Sequence, residues 1–150
     1  MEINIVDISK LNKLKKDNFN VVYGKDYDIN KRILENKNVK MLLDPEPLEE
    51  DFMKYKNSGL NQVLVKLAKR NDTGIGFSLS RLKKIGKLNK SKLLGKIMQN
   101  IILCNKYKVP YYIVYNQDNK NDVEALGVSL GCRNIKVVQH SNESFINMLI

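Results

Sequence analysis

Six short runs of β-branched, aromatic and aliphatic residues recur along the chain, and segments of helical periodicity stand between most of them. That alternation restricts the fold more than any other feature. Strands joined by helical crossovers pair in parallel, so the sequence predicts a parallel sheet or a barrel of βα units. The first run, "EINIVDI", alternates Ile3, Ile5 and Ile8. Ser9 or Asp7 is placed to cap "KLNKLKKD", with Leu11 and Leu14 inward. "FNVVYG" ends at Gly24, Asp28 is a cap for "INKRILEN", and "VKMLLDP" is stopped by Pro45. "PEPLEEDFMKYKNS" is a longer connection with part-helical character.

After Gly59, Leu60, Val63, Leu64, Leu67 and Ala68 form one apolar helical stripe. "TGIGFSL" is the fourth strand, with Ile75, Phe77 and Leu79 on one face. Gly74, Gly76 and Ser78 lie on the other, where space is tight. "SRLKKIGKLNK" links it to a helix over Ser91 to Lys108, whose expected buried face is Leu94, Ile97, Met98, Ile101 and Ile102. Pro110 opens "YYIVY". A polar loop, a short helix over "DVEALGVSLG" and a strand "NIKVV" follow. Ser141 or Asn142 then caps a last helix ending at Leu149. With 150 residues, the chain is read as one domain, 1–150.

Two motifs invite chemistry and fail on context. "GIGFSLS" lacks the lysine of a phosphate-binding Walker loop and the third glycine of a dinucleotide fingerprint. It reads as scaffold that places Ser80 and Arg81 at a rim. "GVSLG" has the letters of a nucleophile elbow, but a helical pattern precedes it and a strand follows, the reverse of what the elbow needs. Gly127 and Gly131 read instead as ends of helical turns. His140 is the only histidine, and no acidic cluster has ligand-like spacing, so neither a metal nor another cofactor is expected. The acidic run at 44 to 51 reads as a solvated loop or a contact for a basic partner. Cys104 and Cys132 read as reduced, buried thiols. Apolar runs fall short of a bilayer span, and the first ten residues do not form a signal peptide. The expected location is the cytoplasm, with no membrane contact.

Charge carries the remaining signal. The net charge is +10; residues 52 to 108 hold 14 Lys or Arg against one acid, Asp72. "SRLKKIGKLNKSK" carries Arg81, Lys83, Lys84, Lys87, Lys90 and Lys92 with no acid. Such a cluster neutralises phosphates without reading sequence, and its lack of aromatics argues against single-strand stacking. A lysine-rich solvated surface would look the same in composition.

"GLNQVLVKLAKRNDTGIGFSLSRL" resembles the central segment of ribonuclease P protein component 3, the archaeal and eukaryotic subunit. "DINKRILENKNVKMLLDPE", "KYKVPYYIV" and "DVEALGVSLG" resemble its flanking segments, in the same order, over about residues 20 to 131. The resemblance implies an incomplete (β/α) TIM-like barrel of PHP type, with about six short parallel strands and helices outside. It implies a non-catalytic subunit that supports the catalytic RNA in removing the 5′ leader of precursor tRNA. The implied partners are ribonuclease P RNA, protein component 2 and, indirectly, precursor tRNA, with a homo- or hetero-oligomeric assembly. The chain resembles a family member shortened at its start, with Gln62 where the family has a histidine. The acidic "EPLEEDFMKYKN" replaces a short Gly-Arg-Lys-Asp turn. By position, Lys31, Lys66 and Lys120 stand at family basic residues; with Arg70, Arg81, Lys83, Lys84, Lys87 and Lys90 they form the expected RNA-binding set. Two rivals stand beside this reading: a generic basic RNA-binding or ribosome-associated α/β protein, and a degenerate PHP-type metal phosphoesterase.

Overall fold

The computed structural model describes residues 3–47 and 57–140. Six strands run β1 (Ile3–Val6), β2 (Phe19–Tyr23), β3 (Val39–Leu43), β4 (Gly74–Ser78), β5 (Tyr111–Tyr115) and β6 (Ile135–Gln139). They lie side by side in chain order and every pair is parallel. Sequential parallel order with crossovers is how a (β/α) barrel is wound. Here the described strands stop at six, with β1 and β6 at the edges, giving a curled half-barrel.

A 3-10 helix (Ile8–Lys13) and five α-helices make the crossovers: α1 (Tyr27–Glu35), α2 (Gln62–Arg70), α3 (Leu79–Lys84), α4 (Lys87–Tyr107) and α5 (Lys120–Ser129). The main core lies between helices and sheet, around Ile33, Leu42, Leu64, Ile75, Phe77 and Ile113. A second cluster, Val21, Met41, Leu43, Tyr112 and Val114, fills the inward face of the curl. Strand alternation separates the two sets. On β4 the inward positions are Gly74 and Gly76, and a Cβ at either would strike Tyr112. "GIGFSLS" is therefore scaffold, as its alternation predicts.

Several local expectations are corrected. Of the two residues expected to cap the first turn, Asp7 does so by accepting from the Ser9 amide, while Ile8 has left the strand for the 3-10 helix. Asp26, not Asp28, caps α1 by accepting from the Ile29 amide. On α2 the buried face is Leu64, Val65 and Ala68, and Val63 is exposed. Leu79 is the first residue of α3, not the last of β4. The segment before Ser91 is helical: α3 occupies its first half, and α4 starts at Lys87 behind the Gly86 cap.

α4 buries Leu93, Lys96, Ile97, Asn100, Ile101 and Cys104, while Met98 and Ile102 face solvent. Apolarity alone mis-set the helix rotation because two of its inward residues are polar. Gly127 lies inside α5 rather than ending it; a Cβ there would fall 1.6 Å from Cδ1 of Ile135. Gly131, at φ +90°, does end the turn. Cys104 and Cys132 are buried free thiols. The expected helical character of the long connection falls mostly, and the last helix wholly, outside the described residues.

Candidate nucleic-acid interface

The C-terminal ends of β3 and β4 hold a buried polar cluster. Asp44 follows β3 in the left-handed region at φ 52°. Its amide donates to the Gly76 carbonyl, which aims its carboxylate at the end of β4. Oδ1 accepts from the Ser78 amide at 2.8 Å and Oδ2 from the Ser78 hydroxyl at 2.6 Å. Arg81, in the first turn of α3, reaches back over both acids. Its Nη1 lies 3.8 Å from Asp44 and 3.4 Å from Glu46, and Nη2 donates to the Glu46 carbonyl at 2.6 Å.

α4 completes the cluster from the other side. Asn100 donates to the Glu46 carboxylate and to the Ser58 carbonyl, and Lys96 donates to the Pro47 carbonyl at 2.9 Å. Asn30 of α1 donates to the Pro45 and Gly59 carbonyls. Both flanks of the long connection are thus fastened to the barrel. Burial pushes the Asp44 carboxyl up and raises Glu46 to about 7, the Arg81 guanidinium opposing both shifts. Asp44 and Glu46 are buried, which corrects the solvated-loop reading for these two; the other acids of the run lie outside the described residues.

The cluster fixes structure rather than presenting chemistry. Each carboxylate is enclosed by its own hydrogen-bond donors. Among the described residues no group of three or more His, Cys, Asp or Glu side chains is arranged to hold a metal ion. His140 is half-buried, and burial lowers its pKa.

The basic segment lies at the same end. Arg81 is turned inward, its side chain only 12% exposed. Lys83 pairs with Asp118 beyond β5. Lys84, Lys87 and Lys92 are exposed and Lys90 is half-buried. α4 begins with Lys87 and Lys90, with no acid in its first turn and no side-chain cap. Lysine at the positive end of a helix is unfavourable for the helix alone. The same charge and the free amides there attract anions.

The other expected residues are dispersed. Lys31 is exposed on α1. Lys66 is exposed on α2, its Nζ 5.5 Å from the Tyr107 ring centroid. Arg70 ends α2 at the opposite rim of the sheet. Lys120 opens α5 and lies 3.9 Å from Glu124. Gln62 accepts a hydrogen bond from the Tyr107 hydroxyl at 3.0 Å.

Sequence reading missed Asp44, Glu46, Lys96 and Asn100 as one unit. An arginine in an otherwise acid-free stretch, with acids at the end of another strand, was the available signal. On α4, Met98 and Ile102 line a shallow groove of about 460 Å³ with Gly95, Gln99 and Leu103.

Fold and surface together define an incomplete (β/α) barrel with an exposed basic segment at its strand ends. Comparison with known proteins narrows this class. The chain is 29% identical over 109 residues to ribonuclease P protein component 3 of Methanococcus vannielii, covering 71% of this chain and 45% of that protein. It is 28% identical over 116 residues to component 3 of Thermococcus kodakarensis, covering 73% of this chain and 50% of the relative. With the Methanosarcina mazei component 3 the identity is 36% over 90 residues, 60% of this chain and 35% of that one. The chain therefore spans half or less of the length of these curated relatives.

Among solved structures, the fold matches a chain of the cryo-EM structure of archaeal ribonuclease P with mature tRNA. The TM-score is 0.67 at 23% identity, over 87% of this chain and 58% of that one. No family model matches. The resemblance to ribonuclease P protein component 3 is borne out by these relatives, and the incomplete barrel by the fold.

Proposed function

We propose that the chain is a non-catalytic protein subunit of ribonuclease P, a single domain of PHP-like half-barrel form that supports the catalytic RNA in removing the 5′ leader of precursor tRNA. The observation that carries this reading is the similarity to component 3 proteins of several archaea across most of the chain. The exposed Lys84 and Lys87 and the half-buried Lys90 at the α3–α4 junction support it, since clustered cations neutralise phosphates whatever the RNA sequence. Arg81 then acts as a positioning residue that holds this junction against β3. Component 2 is the protein partner we assign; Met98 and Ile102 offer it apolar surface, and among the described residues β1 and β6 are the edge strands of the sheet. The cytoplasm suits this role, and among the described residues no helix is long and apolar enough to cross a membrane.

Reconstitution tests the reading. The ribonuclease P RNA is assayed on precursor tRNA with and without this protein and component 2. Added protein is expected to raise cleavage at low magnesium, and the protein alone is expected to cleave nothing. Cleavage by the RNA-free protein, abolished by a chelator, would favour the degenerate phosphoesterase instead. Equal binding to any RNA, with no effect on cleavage, would favour a generic RNA-binding protein.

A further inference from the structure

The rim opposite the buried cluster, where the strands begin, carries exposed cations in successive connections. Lys16 precedes β2, Lys37 precedes β3, Arg70 lies before β4, Lys106 and Lys108 before β5, and Arg133 before β6. The exposed acids set among these connections and the helix ends that enter them are Asp17, Glu35 and Asp72. The other rim intersperses its lysines with Asp7, Asp26, Asp44, Glu46 and Asp118. Helix dipoles favour bases in a last turn, which accounts for Arg70 and Lys106. They do not account for Arg133, four residues past the end of α5, or for Lys16, which follows only a short 3-10 helix.

These connections are also fastened to one another. Asn20 donates to the Lys15 carbonyl at 2.7 Å and to the Asn38 carbonyl at 2.8 Å. Asn71 donates to the Leu34 carbonyl, joining the end of α2 to α1. The Lys69 ammonium donates to the Lys108 carbonyl at 3.1 Å. Asn105 donates to the Gly131 carbonyl and accepts from the Arg133 amide. Neighbouring strands lie about 4.8 Å apart, so the connections before β2 through β6 form a belt roughly 19 Å long if laid flat. A belt of cations on mutually bonded loops loses little freedom on meeting a regular polyanion.

We infer that this rim is a second RNA-contacting surface, which holds the phosphate backbone of a structured RNA without reading its sequence. The inference rests on the RNA-subunit reading above and adds a face to it. Few aromatic rings accompany the cations; Tyr107 is the neighbour, with Lys66 and Lys106 near its ring. The surface therefore suits phosphates rather than stacked bases. A protein with two such faces bridges two RNA segments, or two parts of one RNA.

The test is the salt dependence of binding to ribonuclease P RNA and to an unrelated hairpin RNA. Wild type, Lys37→Ala/Arg70→Ala/Arg133→Ala and Lys87→Ala/Lys90→Ala are compared. The rim triple is expected to flatten the log affinity against log salt slope by about 2, at roughly 0.7 per lost contact, on both RNAs. If the triple does not fold, Arg133→Ala alone is expected to flatten it by about 0.7. A folded rim variant that keeps the wild-type slope, while the α4 variant loses slope, overturns the second face and leaves the subunit reading intact. Wild-type protein that binds neither RNA in a salt-dependent way overturns both.

Discussion

Phe19 of β2 and Tyr112 of β5 meet edge to face with ring centroids 6.0 Å apart, although β3 and β4 run between their strands. In a flat sheet those strands would be about 14 Å apart. The contact needs the sheet to curl and a gap above β4, which Gly74 and Gly76 provide. A Cβ on Gly74 would lie 2.3 Å from the Tyr112 ring, and one on Gly76 would lie 2.6 Å from the Tyr112 carbonyl oxygen. The two glycines therefore fail differently when substituted.

Gly74→Ala is expected to cost about 1 to 3 kcal/mol by forcing the ring aside. In a Tyr112→Ala background that cost should vanish, because the obstructing atoms are gone. Gly76→Ala should stay costly in both backgrounds, since its obstacle includes backbone. Urea unfolding of the single and double variants measures this. Equal costs for Gly74→Ala in the two backgrounds would refute the packing account.

Glu46 sets a pH dependence. Its ordinary value of 4.5 applies in the unfolded chain, and burial raises the folded value to about 7. Between those values the folded state holds the extra proton, so stability falls as pH rises across the window and levels off above it. The gap corresponds to at most about 3 kcal/mol. Glu46→Gln should lack this share of the slope, leaving what Asp44, shifted in the same direction, contributes. Thermal melts from pH 4.5 to 8 on both proteins check the sign; parallel curves would count against it.

Arg81 is expected to matter for folding more than for RNA. Arg81→Met would leave Asp44 and Glu46 buried without a counter-charge, at a cost of about 3 to 5 kcal/mol. Adding Asp44→Asn and Glu46→Gln should recover most of that loss. Where the single variant still folds, the salt slope of RNA binding should match wild type, because the guanidinium faces the cluster. A flattened slope would return Arg81 to the phosphate-contacting set.

Much of the fold was legible because each strand is a short apolar run bounded by glycine, proline or a polar turn. The tight inward face of β4 was legible for the same reason: Gly74 and Gly76 alternate with Ile75 and Phe77. The rotation of α4 was not. Lys96 and Asn100 are buried because they bond the Pro47, Glu46 and Ser58 groups of a distant connection. No local pattern announces a polar residue whose partner lies more than forty positions away. Arg81 misled for a related reason: within its own segment it is one more cation, and only the curl of β3 against β4 brings the acids to it.

Lys87 and Lys90 separate function from stability by sign. Both stand in the first turns of α4, whose first turn holds no acid and has no side-chain cap. Their charges oppose the helix dipole, so Lys87→Ala/Lys90→Ala should leave the protein as stable as wild type or firmer by about 0.5 kcal/mol. If they meet RNA phosphates, the same change should weaken binding and flatten the salt slope by about 1.5. A positive effect on folding joined to a negative effect on binding would mark charges kept at a helix end for a polyanion. Thermal melts and salt-dependent binding on one preparation measure both. Loss of stability together with unchanged binding would make these lysines part of the scaffold and leave the opposite rim as the RNA face.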